Sequence, residues 1–172
     1  MIKLITDKEI YTSVIIGKIP KAKKYLWIGT ADIKDMYINK NGKMRPFLEL
    51  LADLIKQGVK IRLIHAKEPG KNFMQDFDKY PALFKGLERM LCPRVHFKHI
   101  IIDGNFAYSG SANLTGAGMG SKSETRRNFE AGFITDEQEH IDAISQQFDD
   151  VWIGKHCKLC NRKEYCTDCP IK

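Results

Sequence analysis

The sequence predicts an α/β fold, with a mixed central β-sheet flanked by helices on both faces and a small metal-binding appendage at the C-terminal end. Three observations carry this reading. Aromatic and β-branched runs of strand length alternate with segments of helical periodicity from Ile10 to Trp152. The 172 residues are enough for one domain with a real core and too few for two. From Gly154 onward the alternation stops and four cysteines crowd together. The chain therefore divides into a main domain, 1–153, and a tail, 154–172.

Each element has its own signal. Ile10 to Ile19 reads as a helix ended by Pro20, which cannot continue one. Lys24 to Asp32 (KYLWIGTAD) is a buried strand. Arg45 to Gln57 places Phe47, Leu48, Leu51, Leu54 and Ile55 at helical spacing, with Gly58 as the stop. Lys60 to Ala66 alternates as a strand, and Phe73 to Met90 is helical but interrupted at Pro81. Two extended runs between Arg94 and Gly110 flank Asp103-Gly104-Asn105, a hairpin signal. Phe129 to Thr135 is a further strand. Glu137 to Trp152 is a helix with Ile141, Ile144, Phe148, Val151 and Trp152 on one face. There is no internal repeat and no low-complexity tract.

Composition narrows the function. The formal net charge of +7 suits a polyanionic partner such as DNA or RNA. No stretch approaches the roughly 20 apolar residues that span a bilayer, so stable membrane insertion is not expected. The opening MIKLITDKEIYTSV carries Asp7 and Glu9 and lacks an apolar core, which argues against a secretory leader and for a cytoplasmic protein.

The chemistry concentrates between residues 96 and 130. On an extended chain His96 and Lys98 share a face. An imidazole beside a fixed ammonium suits attack on a phosphate: the ring serves as nucleophile or proton carrier, and the cation steadies the oxygens. Asp103 follows, then the small-residue turn Gly110-Ser111-Ala112-Asn113, whose hydroxyl and amide are donors for non-bridging oxygens.

His96-x-Lys98-x4-Asp103-Gly104, then Gly110-Ser111-x-Asn113, then Asn128-Phe129-Glu130 resemble the signature of the phospholipase D superfamily. The resemblance covers about residues 24 to 152 in layout. It implies a phospholipase D-like sandwich and phosphodiester hydrolysis through a phosphohistidine on His96. It implies that Lys98 and Asn113 hold the phosphate with help from Ser111. It also implies that Glu130 accepts a hydrogen bond from His96 to fix its tautomer. Asp103 is often structural in the family. The chemistry needs two such histidines and no metal. The full His-x-Lys-x4-Asp pattern occurs once: His65 and His156 have a lysine two positions on, Lys67 and Lys158, but Asn72 and Lys163 stand where the aspartate would be, and His99 and His140 lack the lysine, so the resemblance implies a homodimer sharing one site. His65 reads as a polar strand terminus and His99 as a packing residue.

Cys157-x2-Cys160-x5-Cys166-x2-Cys169 supplies four thiols at metal-hook spacing, for a structural zinc or, alternatively, an iron–sulfur cluster. Disulfides are the third possibility. Cys92 reads as a small buried residue. The loop Gly116 to Arg127 begins glycine-rich and mobile and ends basic, with Lys122, Arg126 and Arg127 placed to grip a phosphate backbone. A nuclease is the favoured reading. The alternatives are a phospholipid phosphodiesterase and a catalytically silent nucleic-acid-binding module.

Overall fold

A computed structural model describes residues 1–34, 36–40 and 42–171. The chain runs through β1 (Ile2–Thr6), α1 (Lys8–Ile10), β2 (Tyr25–Thr30), the hairpin β3 (Tyr37–Lys40) and β4 (Lys43–Pro46), α2 (Phe47–Lys56) and β5 (Lys60–His65). It continues through α3 (Lys71–Phe77), α4 (Pro81–Gly86), β6 (Leu87–Leu91), β7 (His99–Ile102), β8 (Phe106–Gly110), β9 (Ala131–Thr135) and α5 (Gln138–Trp152). Seven strands form one sheet in the order β1-β9-β8-β7-β2-β5-β6. Strands β2, β5 and β6 pair in parallel and the remaining pairs are antiparallel.

The sheet has a core on each face. On one, Leu26, Ile28, Ile61 and Leu63 pack with Leu51 and Leu54 of α2 and with Ile10, Val14 and Ile15. On the other, Ile64, Ile101 and Ala107 meet Ile141, Ile144 and Phe148 of α5. This is the predicted mixed sheet between helices. Phe148 stacks on Trp27 with centroids 5.1 Å apart. The Arg62 guanidinium lies over Trp27 and Trp152 at 5.4 and 4.8 Å while pairing with Glu88 at 2.8 Å.

Three elements differ from expectation. The first helix starts at Lys8 and continues as a wider π turn over Tyr11–Ile16, and Pro20 falls inside a separate 3-10 turn, Ile19–Lys21. The segment Phe73 to Met90 breaks at Pro81, but its end leaves the helix and joins the sheet as β6. Gly86 permits this, because a side chain there would collide with Ile55 of α2. His96 and Lys98 lie just ahead of β7 rather than within it. The ladder still reaches them, since the Gly110 amide donates to the Lys98 carbonyl at 3.2 Å.

The β7–β8 hairpin turns at Asp103, whose φ of +53° is a left-handed conformation that Asp tolerates better than most residues. Its carboxylate accepts the amides of Lys23, Lys24 and Tyr25 at 2.8, 2.7 and 2.9 Å, tying the hairpin to the start of β2. Burial raises its pKa, but the three amides outweigh burial and hold it below the usual carboxylate value. The ionised form is therefore favoured by folding. The stabilisation is complete above the ordinary value of 3.8 and fades as pH falls through the lower folded value. Asp103→Ala is expected to cost about 2 kcal/mol or more at neutral pH. Urea midpoints measured from pH 7 down to pH 2 should show the gap to wild type closing at the acid end.

Candidate active site

One end of the sheet gathers the groups singled out above. The C-terminal ends of β2 and β8 and the N-terminal ends of β7 and β9 meet there, because Gly29 pairs with His99, His99 with Ser109, and Gly110 with Gly132. Phe97 wedges inward between His96 and Lys98. Its ring stacks on His99 at 4.6 Å and occupies space that a side chain at Gly29 would fill. His99 is in turn held by Gln147 of α5 at 2.8 Å. With the intervening residues anchored on one face, His96 and Lys98 share the other.

His96 is exposed, whereas Lys98 is only 5% exposed. The Lys98 ammonium donates to the His96 carbonyl at 2.6 Å and stands 3.3 Å from His96 Nδ1. Burial lowers its pKa, and the negative charge of Glu130 opposes that shift.

Glu130 and Ser111 face each other across β8 and β9, and the hydroxyl donates to the carboxylate in a close hydrogen bond. Asn128 Nδ2 donates to the other oxygen at 3.0 Å. Within one chain the carboxylate is thus taken up by Ser111 and Asn128 and makes no hydrogen bond to His96. This departs from the expected tautomer-fixing contact. A carboxylate with two donors already in place has no need to turn toward an exposed ring.

Asn113 is oriented by its acceptor. Its Oδ1 takes the Asp32 amide at 3.0 Å, so the amide's NH2 is the end left to donate. Thr30 fixes the same corner through the Asp32 carbonyl at 2.7 Å and the Leu114 amide at 2.9 Å. A cleft of about 370 Å³ opens beside it, lined by Asp32, Lys34, Glu68 and Lys71 among others.

Sequence reading missed Thr30, Asp32 and Asp7. Asp7 accepts the Glu130 amide on its carboxylate at 2.9 Å and donates its own amide to the Glu130 carbonyl at 2.9 Å. The only sequence signal for Thr30 and Asp32 is their place at the C-terminal end of a strand, where α/β sites open. Asp7 lies 123 residues from Glu130 and carries no signal at all.

Asp103 does not enter the group. It lies at the opposite end of β7, with its carboxylate engaged by the three amides described above. Lys122 and Arg126 are exposed and Arg127 half-buried, and none forms an ion pair among the described residues. The glycine-rich start of their loop is packed rather than loose. Met119 is buried, and the Gly118 amide binds Thr115 Oγ1 at 2.9 Å. Its small residues let the chain fold tightly against the core.

The tail folds back on the main domain. The Leu91 amide donates to Asp168 at 2.8 Å and the Cys166 thiol contacts the Leu91 carbonyl at 3.4 Å. Among the described residues, no three His, Cys, Asp or Glu side chains are gathered closely enough to hold a metal ion.

Comparison with known proteins matches residues 15–152 to the family described as cardiolipin synthase, PLD-like domain. No curated protein matches. Among solved structures the fold resembles Nuc from Salmonella typhimurium, a phospholipase D family member. The TM-score is 0.62 at 13% identity, covering 88% of this chain and 93% of that one. It also resembles NucT from Helicobacter pylori, with a TM-score of 0.63 at 16% identity, covering 98% and 99%. The archaeal chromatin protein TrmBL2 gives 0.60 at 12% identity, covering 88% of this chain and 51% of that one.

Because Lys98 is charged against the cost of its burial, removing that charge should relieve the fold. Lys98→Met is expected to leave stability unchanged or raise it by about 1 kcal/mol. Equilibrium urea unfolding reads this directly, and a marked loss of stability would contradict the account of a cation held for function.

Proposed function

From the premise that the chain belongs to the phospholipase D-like family, we propose that it is a phosphodiesterase, and specifically a nuclease cleaving DNA or RNA in a site shared by two subunits. The observation that carries the reading is the buried Lys98 ammonium, 3.3 Å from an exposed imidazole at the sheet end where Ser111, Asn113 and Glu130 also meet.

The reaction proceeds in two displacements. His96 attacks phosphorus, forming a P–N bond as the bond to the leaving oxygen breaks. The partner's His96 gives that oxygen a proton. A water then gives its proton to the partner's His96 and attacks phosphorus, and the P–N bond breaks to restore the first ring. Lys98 and the Asn113 amide hold the non-bridging oxygens as their charge grows. Glu130 keeps Ser111 oriented and balances the ammonium.

A nucleic-acid substrate is favoured over a lipid by the net charge of +7 and by Lys122, Arg126 and Arg127 in the loop that runs into Asn128 and Glu130. Among the described residues no helix is long and apolar enough to cross a membrane. The five unbridged thiols suit a reducing compartment, the cytoplasm. The tail's cysteines take a structural metal ion, zinc before an iron–sulfur cluster, with no part in phosphoryl transfer. A second reading, a silent DNA-binding module, draws support from the likeness to TrmBL2, described as showing a novel mode of DNA binding.

A panel of single-stranded DNA, duplex DNA, RNA and phospholipid vesicles separates these readings. Wild type should cleave nucleic acid, and His96→Asn should lose about 1,000-fold or more while still binding it. Cleavage unaffected by the substitution would remove His96 from the mechanism, and binding without cleavage by wild type would favour the silent module. Turnover should persist in chelator. When wild type and His96→Asn subunits are mixed and allowed to exchange, activity should fall with the square of the wild-type fraction. A linear fall would place a complete site in each chain.

A further inference from the structure

Phe129 is 97% exposed, the most exposed large apolar side chain among the described residues. Its backbone is nonetheless clamped on both sides. The Asn128 amide donates to the Ala117 carbonyl at 3.1 Å, and Asp7 holds both the amide and the carbonyl of Glu130 at 2.9 Å. The side chains of Asn128 and Glu130 bind each other at 3.0 Å and so share one side of the chain, which leaves the Phe129 ring on the other. The ring thus stands one residue from the carboxylate that orients Ser111, on the side away from the Asn128–Glu130 pair and in water. The loop that leads to it carries the exposed cations Lys122 and Arg126 and the half-buried Arg127. Neither the core nor the phosphoryl transfer uses this ring.

We infer, building on the reading of the chain as a nuclease, that Phe129 is a stacking platform for a base flanking the scissile phosphate, and that the substrate is therefore single-stranded nucleic acid. Every nucleobase has a π-face, and stacking on an aromatic side chain holds unpaired bases whatever their sequence, beside cations that track the phosphates. In a duplex both faces of a base are already covered by its neighbours in the stack, and exposing one means unstacking it. A ring on a clamped backbone is already oriented, so little freedom is lost when a base settles on it. The surroundings favour a base over a second copy of this chain. Interface cores are depleted in charge, whereas this ring follows Arg126 and Arg127 and precedes Glu130. A two-fold contact centred on the ring would also set those guanidinium groups toward their own copies. The ring touches no reacting atom; its part is to position the strand.

The test measures binding in the His96→Asn background, which prevents cleavage, to an oligothymidylate strand, the same strand made abasic, and a duplex. Phe129→Ala and Phe129→Leu should each weaken the oligothymidylate about 10-fold while Phe129→Trp holds it, since stacking needs a flat face and not merely an apolar one. The same substitutions should move the abasic strand and the duplex by less than about 2-fold, because neither offers a free base. The fluorescence that Phe129→Trp adds should be quenched by oligothymidylate and not by the abasic strand. Equal weakening on every probe, no weakening on oligothymidylate, or binding retained by Phe129→Leu overturns the inference and leaves the nuclease reading standing, provided wild type cuts nucleic acid. A wild-type dimer that becomes a monomer in Phe129→Ala, by analytical ultracentrifugation, overturns it in favour of a contact between copies. Wild type that neither binds nor cuts any nucleic acid removes both readings.

Discussion

An ammonium held out of water is the constraint around which this end of the sheet is arranged. Lys98 is almost wholly buried, and its charge survives there through the His96 carbonyl beside it and the carboxylate of Glu130 nearby. Neither partner is free to drift. The His96 carbonyl is set by a chain segment pinned through Phe97 and His99, and Glu130 is set by Asp7, Asn128 and Ser111. A buried charge with loosely held partners would be expelled or neutralised. Here the surrounding network keeps it, and the result is a cation held beside the exposed ring of His96.

Small residues make this possible. A side chain at Gly29 would displace the Phe97 ring, which separates the two functional side chains from their neighbours on the other face. Gly110 and Gly132 pair in register over Tyr108, and an added carbon at Gly132 would lie 2.6 Å from that ring. The glycine that opens the Gly110-Ser111-x-Asn113 turn is thus needed for what lies beneath it. Ser111 reaches its partner only because the strands above Tyr108 come this close.

Much of this was legible in the sequence. The strand at Lys60, the helix stopped by Gly58 and the hairpin at Asp103 follow from local rules of period and turn chemistry. So does the pairing of His96 with Lys98, since spacing by two residues places them on one face. What local rules cannot give is which distant residue answers each polar group. Asp7 for Glu130, Thr30 and Asp32 for Asn113, and the amides of Lys23 to Tyr25 for Asp103 are all long-range partners. β6 was hidden for a related reason. Leu87–Leu91 is short and alternates weakly, and only its neighbour β5 makes it a strand.

The pairing of β1 with β9 joins two segments far apart in the chain. Asp7 can grip Glu130 only after some 120 intervening residues have left the ribosome and folded, and closing so long a loop is slow relative to local structure. The grip of Asp7 on Glu130 is completed only after the segment that carries His96 and Lys98 has been made.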